Sequence, residues 1–247
     1  MDATIKVGEL KASRGAAWLG EAFGLFRRAP ATWIGLCAGW IAITFGLILV
    51  PFIGGVIANF LQPVFFASFA IAAYRQAAGE RLAMADLFSG FKRNLRPLVN
   101  LGALLLLAEI TIFALMALMG LPMAATGERS FTLAEYVEAL QGKEWILSAG
   151  FLMTVVVKGA LWFAPPLVAF HGMTTAQAIR WSVFAAISNL GAMIVYGALL
   201  LALFLAALVP WGLGLLVVVP MMVISTYFGY REVFETGDRP RLSPADN

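Results

Sequence analysis

The sequence is short of the side chains that carry most enzyme chemistry. Among 247 residues there is one cysteine, Cys37, and one histidine, His171. A single cysteine excludes an internal disulfide, and Cys37 lies in an apolar run, where it reads as a small packed side chain. Without a His/Cys cluster there is no ligand set for structural zinc or haem. No GxxxxGK[ST] loop is present, so nucleotide hydrolysis of that type is not expected. APPLVAF contains no nucleophile elbow, and Ser182 and Ser188 have no base nearby in sequence; they read as packing or helix-surface residues. His171, at the end of an apolar run, reads as a boundary residue. Charge is scarce too. Asp, Glu, Lys and Arg make up 13% of the chain, about half the ~25% usual in soluble domains. The net charge of +3 comes from residues beside apolar runs and not from a basic domain, which argues against a nucleic-acid partner. No enzyme activity, cofactor or metal is expected.

Apolar residues, by contrast, make up 61% of the chain. They gather into six runs, at about 31–50, 52–74, 97–120, 145–170, 190–209 and 212–230. Each is near the ~20 residues that cross ~30 Å of hydrocarbon as a helix. A barrel strand would alternate and be about half as long. The fold expected is therefore an all-α integral membrane protein with six transmembrane helices, residues 1–235 forming one membrane domain and 236–247 a disordered cytoplasmic tail. The first thirty residues are charged and amphipathic, so no cleavable signal peptide is expected and the first span is expected to serve as an uncleaved anchor. VPFIGG and VPWGLG read as tight turns in which Pro51 and Pro210 end the preceding helix.

All but Arg129, Lys143 and Lys158 of the 17 Lys and Arg fall on one side of this arrangement. Both termini are accordingly expected in the cytoplasm. The loop 121–144 on the far side is acidic, with Glu128, Glu135, Glu138 and Glu144; Thr132 and Glu135 look like the cap of a short helix continuing through Val137 and Leu140. Three amphipathic stretches precede the three pairs of spans. Trp18, Leu19, Ala22, Phe23 and Phe26 share one face. Met84, Leu87, Phe88, Phe91 and Leu95 share another. Ile179, Val183 and Ile187 line a third, opened by a capping box at Thr174 and Gln177. The expected architecture is three hairpins, each led by a cytoplasmic-side amphipathic helix. Arg27, Arg28, Lys92 and Arg93 on these helices are candidate lipid-headgroup contacts. Two readings stand for the helices: a cuff that binds lipid or a partner, or connectors tucked under the bundle. Gly35 and Gly39 in GLCAG permit close helix approach.

The layout, with ADLFSGFKRN, APPLVAFHGMTTAQAIRWS and AISN, resembles a broad group of poorly characterised bacterial integral membrane proteins. It is also similar to the membrane domain fused to some glycerophosphodiester phosphodiesterases. The resemblance implies a membrane module; the catalytic domain of those fusions has no counterpart here, and no active-site residue carries over.

Two charges interrupt the apolar runs. Glu109 sits near the middle of the third span and Lys158 near the middle of the fourth. A lone charge there costs roughly 2.5–3.5 kcal/mol, so opposite charges at like depth on neighbouring antiparallel helices are expected to pair. The pair reads either as a clip setting helix register or as a polar site on a proton, ion or substrate pathway. Thr111, Thr154, Asn59 and Gln62 are further polar candidates, and Pro63 and Pro165–Pro166 are expected to perturb their helices. The function expected is that of a non-enzymatic membrane scaffold or accessory module contacting lipid or another membrane protein; the alternative is a small transporter or channel using Glu109 and Lys158.

Overall fold

A computed structural model describes residues 6–121, 135, 138 and 140–234. The expected short helix after Thr132 and the tail 236–247 lie almost wholly outside these residues. Among the described residues nine α-helices run in the order α1 (Arg14–Phe26), α2 (Pro30–Ile48), α3 (Gly54–Ala77), α4 (Leu95–Leu118), α5 (Glu144–Ala160), α6 (Ala164–His171), α7 (Thr175–Ser188), α8 (Leu190–Leu208) and α9 (Leu215–Phe234), with a 3₁₀ helix at Met84–Lys92. Among the described residues there is no strand. Among the described residues six stretches are long and apolar enough to cross a membrane: α2, α3, α4, Glu144–His171, α8 and α9. The chain divides into two compact units, 1–103 with 160–247, and 104–159.

In the first unit α3 and α9 are the most buried spans. Their most apolar windows are 56% and 67% buried, against 17% and 22% for α2 and α8. Phe65, Phe69, Leu167, Ile224 and Tyr230 fill the core. The outward faces stay greasy, as at Phe45 and Ile194, which suits a hydrocarbon solvent rather than water.

The turns after α2 and after α8 share one solution. Proline stops the first helix, and an aromatic residue follows at positive φ, Phe52 at 67° and Trp211 at 56°. A glycine then starts or leads into the second helix. A Cβ on Gly54 would lie 1.7 Å from the Leu47 carbonyl oxygen, and one on Gly214 2.6 Å from Ala207 Cα. Only glycine lets the returning backbone come this close. The likeness of VPFIGG to VPWGLG is thus a likeness of backbone geometry.

α1 does not span. Trp18, Leu19, Ala22, Leu25 and Phe26 are buried while Phe23 is exposed. A Cβ on Gly15 would lie 2.1 Å from the Ala192 oxygen and 2.7 Å from the Tyr196 nitrogen, so α1 meets α8 backbone to backbone. The segment before it is tied down as well. Gly8 N–H donates to Val233 O (2.8 Å). Asn189 accepts from Leu10 N–H (2.8 Å) and donates to Gly8 O (3.0 Å).

Two expectations change. The stretch from Met84 is 3₁₀, not an amphipathic α-helix, and of its predicted apolar face Leu87 is buried but Met84, Phe88 and Leu95 are exposed. Tertiary anchors override the period. Asp86 is buried, accepts from Ala83 N–H (2.8 Å) and pairs with Arg75. Gly90 N–H donates to Ser68 Oγ (2.8 Å) in the core. Gly35 and Gly39 face this segment, with Cβ positions 3.0 Å from Met84 Sδ and 3.2 Å from Leu87 Cδ2. In α7 the capping box forms, but the buried face is Ala178, Ser182, Ala185 and Ala186, and Ile187 is exposed. Small residues let α7 approach the break between α5 and α6. At that break Pro165 and Pro166 supply no N–H. Ser182 Oγ bridges the two sides of the break, donating to Ala160 O (2.7 Å) and accepting from Phe163 N–H (3.1 Å).

Candidate functional site

Within the second unit the structure brings Glu109 and Lys158 together, with Lys158 Nζ 2.8 Å from Glu109 Oε1. The helices that carry them pack closely: a Cβ on Gly150 would lie 2.1 Å from Met116 Sδ. The neighbouring polar groups look inward to their own helices. Thr111 donates to Leu107 O (2.8 Å) and Thr154 to Gly150 O (2.9 Å). Asn59, in the first unit, donates to Gly55 O (3.1 Å). Such bonds to the carbonyl four residues back satisfy a hydroxyl or amide locally.

The first unit holds a second polar centre, where α1 lies against α9. Arg14 Nε binds Glu232, and Arg14 Nη2 reaches Glu21 Oε1 at 3.1 Å. Glu21 Oε2 takes Arg231 Nη2 at 2.7 Å. Trp18 Nε1–H donates to the remaining oxygen of Glu232 at 2.7 Å. All four carboxylate oxygens are engaged, and the two arginines balance the two glutamates. The hydrogen bond to Glu232, opposed by partial burial, raises the Arg14 pKa above its ordinary value. Arg231 also lies over the rings of Phe228 (4.8 Å) and Tyr227 (5.7 Å), within cation–π range.

Beside this network is an open cleft of about 810 Å³, lined by Glu21, Gly24, Leu25, Arg27, Arg28, Ala77, Phe228 and Arg231. Arg27 and Arg28 are exposed and form no ion pair among the described residues. Arg27 lies over Phe23 at 5.3 Å. Of the four headgroup candidates, Arg27 and Arg28 line the cleft; Lys92 and Arg93 do not. Sequence reasoning missed Glu21, Glu232 and Arg231. Arg14 and Glu21 stand seven apart on one helical face, a usable signal. Trp18 and Glu232 are 214 positions apart, and nothing local links them.

His171 Nε2 is 2.8 Å from the Tyr230 hydroxyl, and Cys37 is buried with a free thiol. Among the described residues no group of three or more His, Cys, Asp or Glu is placed to hold a metal ion.

No family model matches the chain, and no solved structure matches it. It is 28% identical to a probable inner membrane protein of Burkholderia thailandensis, over 92% of this chain and 91% of that protein. That likeness and six stretches of spanning length and hydropathy among the described residues support a multi-pass location in the inner membrane.

Proposed function

We propose that the protein is a non-enzymatic accessory module that contacts anionic lipid at the cytoplasmic face. In this reading both termini are cytoplasmic, three hairpins cross the bilayer, and α1, the 3₁₀ helix and α7 lead them at the headgroup plane. The observation that carries it is the charge left over at α1. The Arg14–Glu21–Arg231–Glu232 network neutralises itself, and Arg27 and Arg28 form no ion pair among the described residues. Arginines near an anionic leaflet gain about 1 kcal/mol each, and Lys92 and Arg93 add to the same face. The resemblance to the membrane domain of certain glycerophosphodiester phosphodiesterases agrees with an accessory role. The test is lipid extracted with the protein in polymer nanodiscs. Anionic lipid should be enriched over the bulk membrane, and replacing Arg27, Arg28, Lys92 and Arg93 by Gln should abolish the enrichment; wild-type discs of bulk composition would refute the reading.

A second reading is favoured by the 2.8 Å Glu109–Lys158 contact, since ionisable groups inside spans often line pathways. In it the protein is a small transporter or channel. Gradient-driven flux in proteoliposomes that disappears with Glu109→Gln would select this reading, and flux indifferent to that change would reject it.

A further inference from the structure

We propose that the cleft beside α1 binds the phosphate of one anionic phospholipid headgroup, held by Arg27, Arg28 and Arg231. The inference rests on the lipid-contact reading above and narrows it to a single site with one added residue. Three features converge. The first is charge. Arg27, Arg28 and Arg231 line the cleft with one acid, Glu21, whose two oxygens are already committed to Arg14 and Arg231. The lining therefore asks for an anion. The second is the donor type. Guanidinium groups bind phosphate oxygens in bidentate fashion, where ammonium groups act as point charges. Two of the three are held over aromatic rings, Arg27 on Phe23 and Arg231 on Phe228, so little side-chain freedom is lost on binding.

The third feature is amphipathy. Leu25, Phe228, Ala77 and Gly24 form the rest of the wall. Ala77 ends α3, and Phe228 lies in the last turns of α9. A phosphate attached to glycerol and acyl chains matches charge at one wall and apolar surface at the other; a free phosphate uses only the first. The volume of about 810 Å³ falls in the ~300–1,000 Å³ range of small-ligand sites. Arg231 would then be shared between Glu21 and the lipid, which links occupancy of the cleft to the contact between α1 and α9.

The experiment is native mass spectrometry of the full chain in detergent, titrated with phosphatidylglycerol, phosphatidylcholine or inorganic phosphate. One phosphatidylglycerol should be retained per chain, at least tenfold more tightly than phosphatidylcholine. Arg28→Gln, which breaks no ion pair among the described residues, should weaken retention about fivefold, and Arg27→Gln/Arg28→Gln about 25-fold, at roughly 1 kcal/mol per charge. Arg96→Gln, on an exposed residue away from the cleft, should leave retention unchanged. Folding of each variant is checked by the thermal onset of Cys37 thiol reactivity. Equal retention of the two lipids, or retention unmoved in the double variant, overturns the site. Displacement of the lipid by inorganic phosphate, with chloride at equal ionic strength inert, overturns the lipid source. If anionic lipid is enriched in nanodiscs but no single lipid is retained, the site fails and the lipid-contact reading survives; if the enrichment is absent too, both fail.

Discussion

Replacing Glu109 by Gln, Lys158 by Met, and then both, asks whether these charges act as one unit. Gln keeps the shape of Glu109, and Met keeps much of the length of Lys158. Removing one member leaves the other charged in an apolar helix, where a lone charge costs roughly 2.5–3.5 kcal/mol at the bilayer centre. The side chains are 32% and 42% exposed, so the surviving charge recovers part of this by reaching toward its surroundings. We expect each single change to cost about 2 kcal/mol. The pair itself is a charged contact at 2.8 Å. Interhelical polar contacts in membranes average ~0.6 kcal/mol and reach ~1.7, and ionisation puts this one at the upper end. The coupling should therefore be about 1–2 kcal/mol, and the double variant should fall short of the summed losses by roughly 2–8 °C in Tm. The assay is built into the chain. Cys37 is the sole cysteine and is buried, so reaction with a fluorogenic maleimide reports thermal unfolding in detergent. Losses that add to within about 0.5 kcal/mol would refute direct pairing.

Two further perturbations test the packing. Ser182→Ala removes one hydroxyl that serves both the buried Phe163 N–H and the half-buried Ala160 O; loss of these partners should cost about 1–3 kcal/mol, and hydrogen exchange at the Phe163 amide should rise if the bond is as described. In α1, Gly15→Ala should destabilise by about 2 kcal/mol or more because its Cβ meets α8 backbone. Gly20→Ala, with nothing within 4 Å, should be neutral or stabilising by up to ~1 kcal/mol; equal effects at the two positions, read by the same thiol assay, would contradict the α1–α8 contact.

The existence and number of the candidate spans among the described residues were legible because they depend on local properties. A run of about twenty apolar residues requires hydrocarbon wherever it sits, and Pro51, Pro210 and the Thr174–Gln177 cap act on the backbone beside them. Glu109 and Lys158 stood out for the same reason: each is a charge where the solvent forbids one, and their partner could be named from depth alone. The 3₁₀ helix was not legible, because its conformation is set by Asp86 and Gly90 binding α3 and not by its apolar period. The buried face of α7 was misjudged because a neighbouring helix break selects small residues and a hydroxyl over larger apolar ones. The arginine cleft was hidden most completely. Arg27 and Arg28 advertise positive charge, but whether they are neutralised depends on Glu21 and Glu232, and those acids are committed elsewhere through contacts as far as 218 positions apart in the chain. Local chemistry determines which solvent each segment accepts; only the packed chain decides which charges cancel, because cancellation depends on distances that close when the helices dock.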